Sequence, residues 1–436
     1  MSKTRVIRSL SLCIAFAIVA AACAPSEDED TAGQSDGAAE SVVTITIAPG
    51  PDVQSELQEA LIEVAPGTVI QLEEGVYAFA LGLSLDVDNV TLRGRGMDKT
   101  VLDFKGQEAG SEGIHVTSQN VTLEEFAVID TKGNGIKSHS ADNIVYRNIR
   151  TEWTGGPKST NGAYGLYPVS STNVLIEGCV AIAASDAGIY VGQSENVMVR
   201  DSRAEFNVAG IEIENCHGAE VRGNVATNNT GGILVFDLPD LPVQRGRDVR
   251  IHANKVYANN TQNFAPEGNI VATVPTGTGI MVMANSNVEM FDNEIRGNDT
   301  TNVLIVSYLT NGIEVKDPNY YPYPERIHIH DNTFGPGGAN PGGAGGSLMA
   351  MLLGKPLPDI VWDGVVNPEK IVNGEITDDA RIYVHDNSKT EGELTFANLG
   401  GLATLSDPAN AKVVRDLATV GGSLPPVQSI TLGVGD

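Results

Sequence analysis

The sequence has few aromatic residues, which make up 5% of its 436 positions and include only two tryptophans. Hydrophobic residues nevertheless reach 41%, so Val, Ile, Leu and Ala must build most of the core. These small side chains do not fill the wide gaps between packed helices, whereas they suit thin layers of β-strands. The composition therefore favours an all-β chain over a helix bundle.

Basic residues are also scarce, since 28 Lys and Arg stand against 55 Asp and Glu and give a formal net charge of −27. Such a negative field repels nucleic acid, which we exclude as a partner. It also disfavours acidic sugars, unless a divalent cation bridges the two or a local basic site overcomes the repulsion. No cofactor is predicted beyond such a bridging cation.

Cysteine occurs only four times, at positions 13, 23, 179 and 216. Cys179 and Cys216 fall at different points of a sequence repeat described below. We therefore predict no disulfide between them, although an exported chain would allow one.

Long apolar runs are missing except near the N-terminus, where Leu10–Ala22 is too short to span a bilayer comfortably. Three basic residues precede this run, and it leads into AIVAAACAPS, which is similar to the lipobox of bacterial lipoproteins. We predict a signal peptide over residues 1–22, lipidation of Cys23 and an acidic flexible tether over residues 23–41. The protein would then be exported and anchored to the lipid bilayer. Ala24 favours the outer membrane, because it is not the Asp that retains bacterial lipoproteins at the inner membrane when it follows the lipidated cysteine. Ordinary signal cleavage within the same alanine run is the alternative.

What the sequence does contain is a repeated glycine phrase, as in AYGLYPVSSTN at 163–173, AGIYVGQSEN at 187–196 and AGIEIENCHG at 209–218. A second phrase, such as NVMVRDS at 196, interleaves with it, and the common period is about 22 or 23 residues. Each phrase alternates apolar and polar residues, which is typical of strands, and Asn, Asp and Gly lie between the phrases as tight turns require. A unit this short cannot bury its own apolar face and must stack on its neighbours.

The repeat therefore predicts a parallel β-helix over residues 42–390, with a single chain winding through stacked coils. A leucine-rich repeat has a similar length but would show a helical period between its strands. Residues 51–67 have helical spacing and predict a short N-terminal capping helix, residues 391–436 predict a C-terminal cap, and the glycine-rich run 335–346 predicts an irregular loop. We predict an internal amide ladder from the asparagines that end the second phrase: Asn148, Asn224, Asn254, Asn293 and Asn332.

The phrases SDAGIYVGQS, NVAGIEIEN and NTGGILVFDLP resemble a family of uncharacterised bacterial β-helix lipoproteins. That family is similar to the pectin-lyase-like superfamily, which includes alginate C5-epimerases and maturation proteins of nitrous-oxide reductase. The resemblance implies an all-β, right-handed parallel β-helix, in keeping with the usual handedness of parallel crossovers. It does not imply one activity, because this fold carries lyases, hydrolases, epimerases and inert adhesins.

Insertions around the glycine strand indicate where a site would lie. Extra residues occur before it at 151–164 and 260–278 and after it at 237–247 and 316–325. Loops on a rigid scaffold commonly carry binding sites, so we predict a groove walled by loops, with the outward residues of the glycine strands as its floor. The candidate side chains on this floor and its edges are Lys137, His139, Trp153, Tyr167, Asp186, Tyr190, Glu212, Glu214 and Asp237.

The candidate groups have distinct predicted roles. Tyr167, Tyr190 and Trp153 would bind sugar rings, Lys137 or His139 would bind a carboxylate or act as a base, and the four acids would act as acids or cation ligands. The sequence thus predicts a polysaccharide-binding protein that is either a lyase or a hydrolase, if it is an enzyme. The alternative function is a non-catalytic scaffold that binds a protein partner or assists metalloprotein maturation. A solvated strand face with no function is the simplest explanation for any single residue.

The epimerase resemblance can be checked residue by residue. The Asp-Pro-His-Asp motif of alginate epimerases would fall on Tyr167, Pro168, Val169 and Ser170, where only the proline matches. Epimerisation by the same residues is therefore not expected. A lyase would need a base such as Lys137, and a hydrolase would need two placed carboxylates.

Histidines form a second candidate site. His252, Phe291, His330 and His385 are predicted to share one outward column of the second strand, with His328 beside it. Three imidazoles on one sheet can bind a transition metal, so His328, His330 and His385 are candidate ligands, although exposed strand histidines without a metal are the alternative. Calcium-binding GGxGxD repeats are absent, and no calcium is predicted in the helix.

Overall fold

The computed structural model describes residues 42–433, and its backbone winds through three long parallel sheets. Each turn of the chain, called a coil below, contributes one strand to each sheet in the order sheet 1, sheet 2, sheet 3. The predicted signal peptide, Cys23 and tether lie outside the described residues. None of the helices in the described part of the chain has the length and hydrophobicity needed to cross a lipid bilayer.

Sheet 1 contains the second phrase of the repeat. Its twelve strands are Thr44–Ile47, Val69–Leu72, Thr91–Arg93, Val121–Glu124, Ile144–Arg147, Thr172–Glu177, Glu195–Arg200, His217–Arg222, Arg247–His252, Ser286–Phe291, Glu325–His330 and Ile382–His385. Sheet 2 has eleven short strands. They are Gly75–Ala78, Thr100–Asp103, Ala127–Ile129, Arg150–Glu152, Val180–Ile182, Arg203–Glu205, Val225–Thr227, Lys255–Tyr257, Glu294–Arg296, Thr333–Phe334 and Ser388–Lys389.

Sheet 3 contains the glycine phrase and the candidate groove. Its eleven strands are Leu81–Leu85, Ala109–Val116, Asn134–His139, Tyr164–Val169, Ala187–Gly192, Ala209–Glu214, Gly231–Phe236, Thr278–Met283, Thr301–Val306, Ile360–Trp362 and Phe396–Asn398. The last strand follows residue 390, where the sequence predicted the end of the β-helix. A small antiparallel pair, Ile371–Val372 with Glu375–Ile376, lies outside the three sheets.

The glycine phrase recurs because the backbone bends tightly where sheet 3 begins. A Cβ atom added at Gly135 would lie 2.5 Å from the carbonyl oxygen of Gly165 on the next coil, a distance that no side chain tolerates. The residues that follow each glycine point inward and align in register, as Ile136 does with Ile114 and Leu166. These ladders of aliphatic side chains are fully buried and hold the coils together.

Within residues 42–433, three α-helices and five 3₁₀ turns complete the fold. The helix α1, Val53–Glu63, buries Val53, Leu57 and Leu61 against the first coils, which confirms the predicted capping helix. The other α-helices are α2, Gly343–Leu353, and α3, Leu402–Ser406; the 3₁₀ turns are Ile270–Thr273, Tyr308–Asn311, Pro368–Lys370, Pro408–Asn410 and Leu417–Val420. The helix α2 begins inside the glycine-rich run for which the sequence predicted only an irregular loop.

The internal amide ladder is present but its membership differs from the prediction. The continuous run is Asn224, Asn254, Asn293, Asn332 and Asn387, in which each Nδ2 donates to the next Oδ1 at 2.9–3.0 Å. Asn148 is not part of it, because its backbone is left-handed at the turn and its side chain donates to Glu125. A second ladder of Asn207, Asn229, Asn259 and Asn298, which the sequence reading missed, lines the corner between sheets 2 and 3.

Candidate functional site

The register of sheet 3 places the candidate residues in two outward columns, as the alternation predicts. Lys137 pairs with Tyr167, and Tyr190 pairs with Glu212, so these four follow one another on consecutive coils. In the second column, His139, Val169, Gly192 and Glu214 are paired in the same way.

The outer face of sheet 3 is not the open groove that the sequence predicted. From the coil of Tyr190 onward, the inserted segments fold onto the face and bury it under a second apolar cluster. The strands supply Leu234, Phe236, Met281, Met283 and Leu304, and the cover supplies Val271, Val274, Tyr308, Tyr320, Met349 and Leu353. The predicted walls 260–278 and 316–325 therefore form part of a lid of apolar side chains, together with Tyr308 and Met349, which lie outside the predicted walls. The N-terminal half of the face is open.

Several predicted groove residues are buried as a result. Tyr190 and Glu212 are 3% and 1% exposed. Asp237 is completely buried, and its Oδ1 accepts a hydrogen bond from the Gly246 N–H at 2.7 Å, so it holds the loop after its strand rather than a ligand. Trp153 is also buried, where its Nε1–H donates to the carbonyl of Thr131 at 2.8 Å. These positions correct the prediction that the groups lie on a solvent-accessible floor.

The open half of the face carries basic groups. His115, Lys137 and Tyr167 are half-buried there, and His139 is exposed. Burial lowers the pKa of His115, and the nearby Lys137 and His139 lower it further against the opposing effect of Glu112. The Nε2 atom of His115 is buried without a hydrogen-bond partner in the protein. The lowered pKa keeps His115 neutral at pH 7, so Lys137 supplies the positive charge of this half and the imidazoles supply hydrogen-bonding groups beside it.

Three tyrosines pack together where the open half meets the lid. The ring centroids of Tyr164, Tyr167 and Tyr190 lie 4.4–5.1 Å apart, and the Lys137 ammonium lies 5.2 Å from the centre of the Tyr167 ring. Tyr190 lies over Gly192, where any Cβ would collide with its ring. The sequence analysis missed Tyr164, although it begins the same strand one residue before the repeated glycine.

Buried carboxyl groups lie behind the tyrosines, under the edge of the lid. The Tyr190 hydroxyl donates to Glu214 Oε1 at 2.6 Å, and Asn269 Nδ2 of the lid donates to Asp186 Oδ2 at 3.0 Å. One oxygen each of Asp186 and Glu212 is buried without a partner.

The carboxyl groups hold protons more tightly than free ones. Burial, and then the charge of Glu214, raise the pKa of Asp186 to about 7 against the opposing bonds from Asn269 and Tyr164. Burial, with the charges of Asp186 and Glu214, raises the pKa of Glu212 well above its usual range. The pKa of Glu214 is also raised to about 7, chiefly by burial. Three neighbouring buried carboxyl groups cannot all be ionised, because their negative charges would repel one another. We therefore infer that they share protons, which reduces the negative charge of the cluster.

The predicted histidine column exists on sheet 1, a different sheet from the tyrosines. His252, Phe291, His330 and His385 are paired in register, and His328 lies beside the last two. Glu289 completes this group, and the sequence analysis missed it although alternation places it opposite His328 on the preceding coil. Among the His, Cys, Asp and Glu side chains of residues 42–433, Glu289, His328 and His330 are the one set of three whose possible metal-ligand atoms all lie within 4.8 Å of one another.

Comparison with known proteins bears on the fold. Residues 90–240 match a family model described as a right handed beta helix region. The chain is a right-handed parallel β-helix. This confirms the parallel β-helix predicted from the repeat and the right-handedness that the family resemblance implied. No curated protein matches the sequence.

Several solved structures have a similar backbone and are distant in sequence. One is the A-module of mannuronan C-5 epimerase AlgE6 from Azotobacter vinelandii, 15% identical over 80% of this chain and 93% of that chain, with a TM-score of 0.46. Another is an alginate lyase from Paenibacillus sp. str. FPU-7, which is 14% identical over 82% of this chain and 98% of that chain, with a TM-score of 0.45. A third is DFA-IIIase from Arthrobacter chlorophenolicus A6, which is 12% identical over 82% of this chain and 94% of that chain, with a TM-score of 0.46. Their activities belong to those proteins, and the function of this β-helix has to come from its own residues.

Proposed function

We propose that this protein binds an acidic polysaccharide along the open half of sheet 3. The observation that carries the proposal is the basic patch of His115, Lys137 and His139 beside the ring of Tyr167, on a chain whose net charge is −27. A local excess of basic groups on an acidic protein supports a carboxylate-bearing ligand, because solubility alone does not require such an excess.

The spacing of the coils suits a chain-like ligand. Parallel strands are about 4.8 Å apart, so His115, Lys137 and Tyr167 on three successive coils extend over roughly 10 Å along the axis. Tyr167 would pack against a sugar ring, and the two histidines and Lys137 would donate to a sugar carboxylate. The partnerless Nε2 atom of His115 supports a ligand or water at this point.

The geometry supports binding better than cleavage. The carboxyl groups that a hydrolase would need lie beneath the lid, where Asn269 and Tyr190 already engage Asp186 and Glu214. A general acid has to reach the glycosidic oxygen within hydrogen-bond distance, and these groups are covered. A lyase that used Lys137 as its base would be revealed by unsaturated products in the test below.

We also propose that the chain is exported and anchored to a membrane through lipidated Cys23. The support is the sequence around that residue and the acidic tether that follows it. The β-helix would then present its open face at a membrane surface that carries or meets polysaccharide.

The test is binding to arrays of neutral and uronate-containing glycans, with Lys137→Ala and Tyr167→Ala as variants. We expect a preference for acidic glycans. Lys137→Ala should lose about tenfold or more in affinity, since a hydrogen bond to a charged group contributes about 1.5–3 kcal/mol. Tyr167→Ala should also weaken binding, because it removes the ring that packs against the sugar. Tyr257→Ala is the matched control, because Tyr257 on sheet 2 also carries a cation, Arg296, over its ring. Binding to no glycan by the folded protein, or an equal loss in the control, would reject the proposal and direct the search to a protein partner.

A further inference from the structure

The outer face of sheet 1 carries a stack of flat rings near its C-terminal end. His252, Phe291, His330 and His385 follow one another on successive coils with centroid distances of 4.5, 5.4 and 5.3 Å and interplanar angles of 3–6°. Parallel pairing produces this stack, because residues in register on adjacent strands extend in the same direction. The stack alone would be an ordinary ladder of strand side chains.

His328 turns the end of the stack into a cluster. Its Nε2 lies 2.7 Å from the Nε2 of His385, and its ring centroid lies 4.2 Å from that of His330. On the preceding coil, Glu289 directs Oε1 to the Nε2 of His330 at 3.2 Å. Three imidazoles and one carboxylate therefore converge at one point of the surface, whereas His252 is separated from them by the ring of Phe291.

The surroundings orient these groups. Asp331 Oδ2 lies 2.7 Å from the Nδ1 of His330, and Asp386 Oδ2 lies 2.9 Å from the Nδ1 of His385. A carboxylate at Nδ1 retains the proton on that nitrogen and leaves the lone pair of Nε2 facing the cluster, an arrangement common around metal-binding histidines.

The carboxylate of Glu289 is fixed in the same manner. Its Oε2 accepts a hydrogen bond from the Val427 N–H at 3.1 Å, and the Nε of Arg250 lies 3.5 Å away from the same oxygen. Oε1 is consequently the oxygen that faces the imidazoles.

Protein hydrogen bonds do not account for this cluster by themselves. Glu289 and His328 are 3% and 5% exposed, and the Nδ1 of His328 is buried without a partner. Burying the His328 ring with one ring nitrogen unpaired is unfavourable unless something else satisfies that nitrogen. The short contact between the rings of His328 and His385 is the alternative, in which one ring donates to the other.

We propose that Glu289, His328 and His330, with His385 as a fourth ligand, bind one divalent transition-metal ion. Imidazole nitrogens with a single carboxylate favour Zn²⁺ and its first-row neighbours over Mg²⁺ or Ca²⁺, which prefer oxygen ligands. Tetrahedral Zn²⁺ places its ligand atoms about 3.3 Å apart. The ligand atoms of Glu289, His328 and His330 already lie within 4.8 Å of one another, and His385 would join them by a side-chain movement from its present contact with His328. The site is separate from the glycan-binding face and does not depend on it.

The C-terminal segment would form part of this site. Residues 425–431 cross the outer face of sheet 1, and the Val427 N–H bonds directly to a metal-ligating carboxylate. A bound ion would fix Glu289 and, through it, the segment that covers the cluster. Metal binding should therefore stabilise the folded chain.

The experiment is titration of the full chain, purified without a polyhistidine tag and stripped with chelator, with Zn²⁺ by calorimetry and with Co²⁺ by absorption spectroscopy. We expect one tight equivalent, tetrahedral Co²⁺ bands and a higher melting temperature with Zn²⁺. His330→Ala and Glu289→Gln should each lower the affinity at least tenfold. His252→Ala should leave it unchanged, because that ring belongs to the same stack but lies beyond Phe291.

Several results would overturn the proposal. These are no saturable binding by the wild-type chain, octahedral Co²⁺ spectra typical of scattered surface sites, or equal losses in His252→Ala and His330→Ala. If His330→Ala does not fold, the more exposed His385→Asn provides the same comparison, and its affinity should also fall at least tenfold.

Discussion

The substitution Glu212→Gln tests the inference that the buried acids beneath the lid are protonated at neutral pH. Glu212 is 1% exposed, one of its oxygens has no partner, and the nearby Asp186 and Glu214 oppose its ionisation. Glutamine has nearly the same shape but carries no charge at any pH. The variant therefore removes only the cost of keeping this carboxyl protonated in the folded state.

The magnitude follows from the raised pKa of Glu212. In the unfolded chain the carboxyl ionises near pH 4.5, whereas in the folded chain burial keeps its proton to a much higher pH. Because the pKa of Glu212 is higher in the folded chain than in the unfolded chain, its contribution to stability is fully present below pH 4.5. Above that pH, the free energy of unfolding falls by about 1.4 kcal/mol per pH unit. At pH 7 the wild-type chain would be less stable than Glu212→Gln by about 3 kcal/mol, or roughly 4 °C in melting temperature for a chain of this size.

The assay is urea and thermal unfolding of both proteins at pH 5, 6, 7 and 8, with the difference between them plotted against pH. The difference should be small at pH 5 and should grow steadily in favour of the variant. Glu108→Gln, at an exposed position, should show no such growth, because water solvates that carboxylate in both states. If Glu212→Gln is instead destabilised at pH 7 and 8, the carboxylate is ionised and paired with a cation, and the reasoning about shared protons is wrong.

Three further predictions concern the scaffold, the anchor and the glycan face. Asn254→Ala removes the oxygen that accepts a hydrogen bond from the Asn224 N–H at 3.0 Å inside the ladder. Urea unfolding should therefore show a free energy of unfolding that is lower by about 2–4 kcal/mol. The control Asn340→Ala, at an exposed position, should change it by less than about 0.5 kcal/mol. Cys23→Ala should move the protein from the membrane pellet to the soluble exported fraction, and continued membrane association would contradict lipidation. Affinity for an acidic glycan should fall as pH rises through about 7, where Asp186 and its neighbours ionise, and calorimetry should show a flatter dependence for Asp186→Asn.

The fold could be predicted because its physical cause is repeated in the sequence. A close approach such as that of Gly135 to Gly165 recurs at Gly113, Gly210 and Gly232, and an inward aliphatic residue follows each glycine, so many copies of the same signal reinforce one another. Parallel register then fixes which outward residues share a column, which is why Lys137 and Tyr167 were placed correctly.

The lid could not be predicted in the same way, because its contacts join segments that share no period. Val271, Tyr308 and Met349 come from three separate insertions, and nothing in their spacing indicates that they meet over one strand face. The segments 260–278 and 316–325 were expected to line a groove, and their apolar residues instead help to cover it. Trp153 illustrates the same limit, since an aromatic residue in a loop can either bind a sugar or anchor the loop. Its hydrogen bond to the carbonyl of Thr131 shows that Trp153 anchors the loop.

The acidic cluster and the basic patch are best understood together. The chain carries a large negative charge, and ionised carboxylates close to Lys137 would weaken the positive charge of this face, as Glu112 already opposes it beside His115. Burial under the lid raises the pKa values of Asp186, Glu212 and Glu214, so these groups share protons at neutral pH and contribute less negative charge than fully ionised carboxylates would. The lid thus does more than cap an apolar surface, because by excluding water from the acids it preserves the positive field of the neighbouring open half.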